Sequence, residues 1–215
     1  MKVRSVLEMD AVTSEHDRDP GPDYSLGYLV RDLCKIFDPK PRPEILDHLR
    51  SSNVDTMIDC IQYEHDRLGN FPVWSSGQRK HLLGHMLCMI GASLGNVTIQ
   101  TDVELPGPFV HARLVVSFVL QRNGKYVFVK GVSDSGLGLG LAESFLTAAL
   151  GADIYGIEEA LIINTDLQLC RYVWFNVLAT EYSQEYLELP GEGWPSDKVI
   201  DSITSLTRNI MNYLK

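Results

Sequence analysis

"KYVFVKGVSDSGLGLGLAES", running from Lys125 to Ser144, decides how the rest of the chain is read. Tyr126, Phe128 and Lys130 alternate with Val127 and Val129, which is the two-residue period of a strand. Glycine and serine then dominate, and a helix over 139–150 is predicted. A strand feeding a helix through glycines is one way proteins hold phosphate, so the spacing matters. Gly136, Gly138 and Gly140 give G-x-G-x-G, and Leu141 stands where a dinucleotide fingerprint needs its third glycine. A P-loop needs Lys-Ser or Lys-Thr after its last glycine, and Leu141-Ala142 stands there instead. The stretch reads as a tight connection, without a nucleotide motif.

Upstream, Arg122-Asn123-Gly124-Lys125 carries Asn-Gly, the strongest short hairpin signal. The strand therefore pairs back onto "ARLVVSFVL", and "NVTIQTDVEL" before it completes a meander. Further out, "QRKHLLGHMLCMIGASLG" is apolar over most of its girth and predicts a largely covered helix over 78–94. Downstream come strand "ALIIN" over 160–164, a turn at Thr165-Asp166, strand "LCRYVWFNV", and an acidic surface loop "EYSQEYLELPGEGWP". Ser196 or Asp197 caps a last helix over 196–214, whose Ile200, Ile203, Leu206, Ile210 and Leu214 share a face. Residues 1–24 read as a flexible lead-in and 25–70 as a helical extension, with 25–215 forming a single domain. The fold class is α+β, a mixed central sheet flanked by helices.

Composition narrows the function. A formal net charge of −9 opposes approach to a polyanion, so nucleic acid is disfavoured as a partner. Cys34, Cys60, Cys88 and Cys170 lie far apart with no CxxC pair, which suits reduced thiols in an intracellular protein, cytoplasmic or nuclear. No apolar run approaches spanning length, so no membrane partner is expected. The aromatic strand "RYVWFNV" offers an edge for a homodimer.

Three clusters carry potential chemistry. His81, His85 and Cys88 recur at i, i+4 and i+7, but Leu82 replaces the glutamate of a zincin, and a structural zinc site would need a fourth ligand such as His111. Partly buried, hydrogen-bonded histidines on a covered helix are the plainer reading. Asp102 and Glu104 point the same way on a strand and can share a cation, and Glu158/Glu159 form a second acidic pair. No G-x-S-x-G motif marks a serine nucleophile.

The order helix 78–94, three-stranded meander, helix 139–150 and strand 160–164 resembles the αβββαβ core of the PD-(D/E)XK, or restriction-endonuclease-like, superfamily. The resemblance covers residues 78–177. "VFVKGVSDSGLGLGLAES" is also similar to nuclease-like segments of uncharacterised fungal proteins. In that superfamily an acid near the start of the second strand and an acid-x-Lys on the third hold Mg²⁺ beside the scissile phosphate. The resemblance implies that Lys130 keeps the place of the lysine. If Asn123-Gly124 are the turn residues, Val119 faces Phe128, Ser117 faces Lys130 and Arg113 faces Asp134. Alternation then sets Arg113, Ser117, Phe128 and Lys130 on one face, with Arg113 (or His111) and Phe128 where the acids belong. Arg113 and Lys130 would each repel a divalent ion about 5 Å away by several kcal/mol. Phenylalanine offers it no ligand.

The expectation is a catalytically inactive, nuclease-like domain with a vestigial Lys130 and no cofactor, acting as a binding or scaffold module. Its surface would be drawn from Arg113, Ser117, Tyr126, Phe128, Lys130 and Asp134, and would take a protein partner or a phosphorylated ligand. The alternative is an active Mg²⁺- or Mn²⁺-dependent nuclease whose acids have moved to Asp102, Glu104 and Glu143.

Overall fold

The computed structural model describes residues 35–41, 55–56, 58–59, 62–63, 66–67, 75–106, 113–131, 140–165, 169–188 and 197–215. The lead-in over 1–24, most of the helical extension over 25–70, and His111 and Asp134 lie outside the described residues. Among the described residues, no helix is long and apolar enough to cross a membrane.

The chain runs β1 (Asp38–Pro39), α1 (Ser76–Leu94), β2 (Thr98–Pro106), β3 (Arg113–Arg122), β4 (Lys125–Gly131), α2 (Gly140–Tyr155), β5 (Glu159–Thr165), β6 (Leu169–Asn176), β7 (Glu181–Glu188) and α3 (Asp197–Leu214). All seven strands join one mixed sheet in the order β1-β7-β6-β5-β4-β3-β2. The fold is α+β. The β3–β4 hairpin closes as its dipeptide requires: Asn123 and Gly124 both have positive φ, at 51° and 78°. Arg122 pairs with Lys125 and Val119 with Phe128, the expected register. Helix α2 then carries the chain across to β5, which lies parallel to β4.

Both faces of the sheet are covered, which is why β5 is buried from Ala160 to Thr165 and reads as a continuous apolar run. On one face, Leu83, Leu87 and Ile90 of α1 and Leu206, Ile210 and Leu214 of α3 pack on Leu120, Val127, Val129, Leu161, Ile163 and Tyr172. On the other, Phe145, Ala148, Ala149 and Leu150 of α2 pack on Val119, Phe128, Ile162, Val173 and Phe175, joined by Phe37. Helix α1 opens with a reciprocal cap: Ser75 Oγ accepts from Gln78 N, and Gln78 Oε1 accepts from Ser75 N at 2.7 Å.

Four expectations are corrected. "EYSQEYLE" is strand β7 rather than loop, because Tyr182 packs on Phe145 and Phe175 on one face and Ser183 is buried on the other, with Gln184 and Tyr186 left exposed. Strand β6 lies between β5 and β7, so "RYVWFNV" is not an edge available for pairing with a second copy. Helix α1 is covered on one side only, leaving His81, His85 and Cys88 exposed on the other. The strict alternation of β3 also fails at Ser117. Val116 packs on the α2 side and Phe118 on the α1 side, although two residues apart they should agree. Strand β2 turns over at the same level: Ile99 belongs to the α1 side, Val103 to the α2 side, and Asp102 between them has φ 51°. Thr101 pairs with Phe118 and Val103 with Val116, while Asp102 and Ser117 make no pair. Both strands of the ribbon rotate together there, so neither loses its core contacts.

Candidate functional site

Strand β4 ends on the α2 face of the sheet with Lys130, two residues past the buried Phe128. Parallel pairing sets Lys130 beside Asn164 of β5. Antiparallel pairing sets Asn164 beside Arg171 of β6, and Arg171 beside Tyr186 of β7. Paired residues share a face, so these four side chains form one row across four strands, about 4.8 Å apart from strand to strand. The row lies at the ends of the parallel strands β4 and β5, where the N-terminus of α2 arrives.

Helix and row are joined by short polar contacts. Asn164 Nδ2 donates to Gly140 O at 2.9 Å and to Ser144 Oγ at 2.6 Å, and Ser144 Oγ donates to Gly140 O at 2.6 Å. Gly140 sits so close to the row that a Cβ there would lie 3.4 Å from Arg171 Nη1 and 3.6 Å from Asn164 Cβ. Lys130 Nζ reaches Glu143 Oε1 in the first turn of the helix at 2.6 Å, with the two side chains 19% and 29% exposed. That pair neutralises itself.

Among the described residues, Arg171 has no such partner. It is 6% exposed, and neither Nε nor Nη1 meets a hydrogen-bond acceptor among the described residues. Its guanidinium lies over the ring of the half-exposed Tyr186, 4.3 Å from the centroid, a contact that covers its face and offers no acceptor to Nε–H or Nη1–H. Burial pulls its pKa below the usual arginine value. The position worsens the cost, because a helix N-terminus carries partial positive charge. Asn164 Oδ1, also buried, likewise lacks a partner. Among the described residues, the site thus holds a cation with two unpaired donors, one vacant acceptor and the positive end of a helix.

The surface anticipated from the sequence is only partly assembled. Lys130 is in the site. Phe128 is not surface at all: it is fully buried beneath α2, where Gly151 makes room for it, since a Cβ at 151 would come within 2.9 Å of the ring. Tyr126 is partly buried and stacks on Tyr155, centroids 5.1 Å apart, a pairing in which desolvation and then the neighbouring phenol raise the Tyr155 pKa. Ser117 does not pair with Lys130 in the ladder; its Oγ accepts from Gly131 N at 3.0 Å. Arg113 pairs with Pro106 at the far side of the break in β3, so alternation from Lys130 no longer carries onto it.

The relocated acids are not gathered either. The exposed Asp102 carboxylate forms an ion pair with Lys80 of α1, and Glu104 lies opposite Val115 on the same ribbon. Glu143 sits on the other side of the sheet with α2. Among the described residues, no group of three or more His, Cys, Asp or Glu side chains is placed to hold a metal ion. This includes His81, His85 and Cys88, although the two imidazole rings stand 4.2 Å apart.

Asn164, Arg171, Ser144 and Tyr186 were missed from the sequence. A signal existed for two of them: Asn164 closes "ALIIN" and Arg171 interrupts "LCRYVWFNV", polar groups in strands otherwise fit for burial. No family model, no curated protein and no solved structure matches the chain.

Proposed function

We propose that this chain is a binding module built on a nuclease-like core that no longer performs metal-dependent cleavage. Support comes from the order helix, meander, crossover helix and parallel strand in one sheet, with Lys130 at the end of the third meander strand. The observation that carries the reading is the fate of that lysine. Its ammonium is held by Glu143 at 2.6 Å, and the position two residues before it, which resemblance would give to a metal-binding acid, is the fully buried Phe128. A benzyl side chain under a helix can neither ligate a cation nor polarise a water.

One observation favours a second reading: Glu143, a relocated acid in the alternative nuclease, does reach Lys130. Incubating purified protein with plasmid and with single-stranded RNA in Mg²⁺ and in Mn²⁺ separates the two. The binding-module reading expects no cleavage above that of a Lys130→Ala, Glu143→Gln control. Cleavage that disappears in either single variant would establish the active nuclease instead.

A further inference from the structure

Resting on the reading of the chain as a binding module, we infer that the site between Arg171 and the N-terminus of α2 takes a phosphoryl group, as a small phosphate monoester or free phosphate. Arg171 is 6% exposed, and its buried Nε and Nη1 have no hydrogen-bond acceptor among the described residues. Buried guanidinium N–H groups with no acceptor among the described residues are costly for a fold to keep. Here it abuts Gly140, the first residue of a helix of 16 residues, whose leading N–H groups have no acceptor within the helix. Cation and helix end repel each other weakly, and a single anion between them turns both from cost to gain.

Phosphate suits the geometry better than a carboxylate. Its tetrahedral oxygens can accept from Arg171 and from helix N–H groups at the same time, and a second negative charge offsets the helix end as well as the arginine. Asn164 Oδ1, left without a donor, accepts from the hydroxyl of a hydrogen phosphate dianion or from a hydroxyl of the group that bears the phosphoryl. Lys130 adds little net charge, because Glu143 already holds it. The absence of a glycine-motif match is consistent with this, since the recognising charge comes from β6, on the far side of the crossover, rather than from a P-loop lysine.

The test uses the whole chain in phosphate-free buffer, titrated with inorganic phosphate at constant ionic strength. Melting should rise by about 5 °C or more at a concentration 100-fold above the midpoint. Sodium acetate at the same ionic strength should give less than a third of that shift. Arg171→Gln should abolish the response. Because that variant can fail to fold, the parent protein is also followed by ¹⁵N NMR, where phosphate should move the Gly140–Glu143 amides and the Arg171 Nε–H resonance first. No saturable shift, an equal response to acetate, or perturbations mapping to another face would overturn the proposal. Cleavage of nucleic acid would sink the proposed function without touching this site, and loss of the phosphate response without cleavage would sink this site alone.

Discussion

Arg122 and Arg171 are the same side chain placed at opposite kinds of helix end. Arg122, at the turn of the β3–β4 hairpin, donates from Nε to Gly95 O at 3.1 Å, from Nη1 to Leu214 O at 2.9 Å and from Nη2 to Leu94 O at 3.3 Å. It closes the C-terminal ends of α1 and α3, where carbonyls lack partners and the partial charge is negative. Arg171, across the sheet, faces the N-terminal end of α2, where amides lack partners and the partial charge is positive. One arginine is satisfied by the fold; the other is left with donors unused. The contrast separates a residue that holds the architecture together from one whose donors the described fold does not use.

The largest effect should come from what lies between these ends. Phe128 is fully buried at the centre of the α2-side core. Phe128→Ala should cost about 3–5 kcal/mol, from lost transfer energy and the cavity left under Gly151. Urea denaturation measures it. A loss below about 1 kcal/mol would mean that Phe128 is not core, and would reopen a recognition surface built around it.

Next comes Arg122→Ala, which strands three carbonyls and removes a cation from two helix C-termini. The expected loss is about 2–3 kcal/mol, using the worth of hydrogen bonds to charged groups and allowing for partial exposure. Hydrogen exchange should localise it: amides in the last turns of α1 and α3 lose protection before those of α2. Arg122→Lys should recover less than half, because one ammonium cannot reach three carbonyls in a fork. Uniform loss of protection across all three helices would contradict a clamp.

How much of this contrast was legible in the chain depends on how local its causes are. The hairpin was readable because Asn123-Gly124 supplies two positive-φ residues in succession, and the Val119–Phe128 register followed from that turn. The break at Ser117 was not. It exists because Asp102, fifteen residues away, takes a left-handed conformation opposite it, a property of two paired strands rather than of either sequence. Strand β7 is hidden by its own polarity: a strand near the rim is largely buried on one face only, so the charge of "EYSQEYLE" masks its period. The clamp at Arg122 needs α1 and α3 to end side by side, and the row Lys130–Asn164–Arg171–Tyr186 needs three registers at once. Lys130 was found because it closes a strand that local pattern defines; Arg171 was passed over because its meaning lies on neighbouring strands.

The smallest expected effect is the sharpest, because its sign should differ. Arg171→Met, measured in phosphate-free buffer, should change stability by less than about 1 kcal/mol or raise it. The substitution removes a desolvated charge from the positive end of a helix, at the expense of one cation–π contact worth roughly 0.5–2 kcal/mol. The pH dependence supports the same distinction. Burial lowers the arginine pKa in the folded protein, so the unfolded chain binds the proton more tightly, and stability would rise with pH only between the folded and unfolded values. That interval lies above ordinary working pH because arginine starts so high, so the difference between Arg171→Met and its parent should stay flat from about pH 5 to 9. A loss above about 2 kcal/mol would show that the guanidinium is already satisfied by the fold. The two arginines would then be alike, and the case for an anion at the α2 N-terminus would go with the contrast.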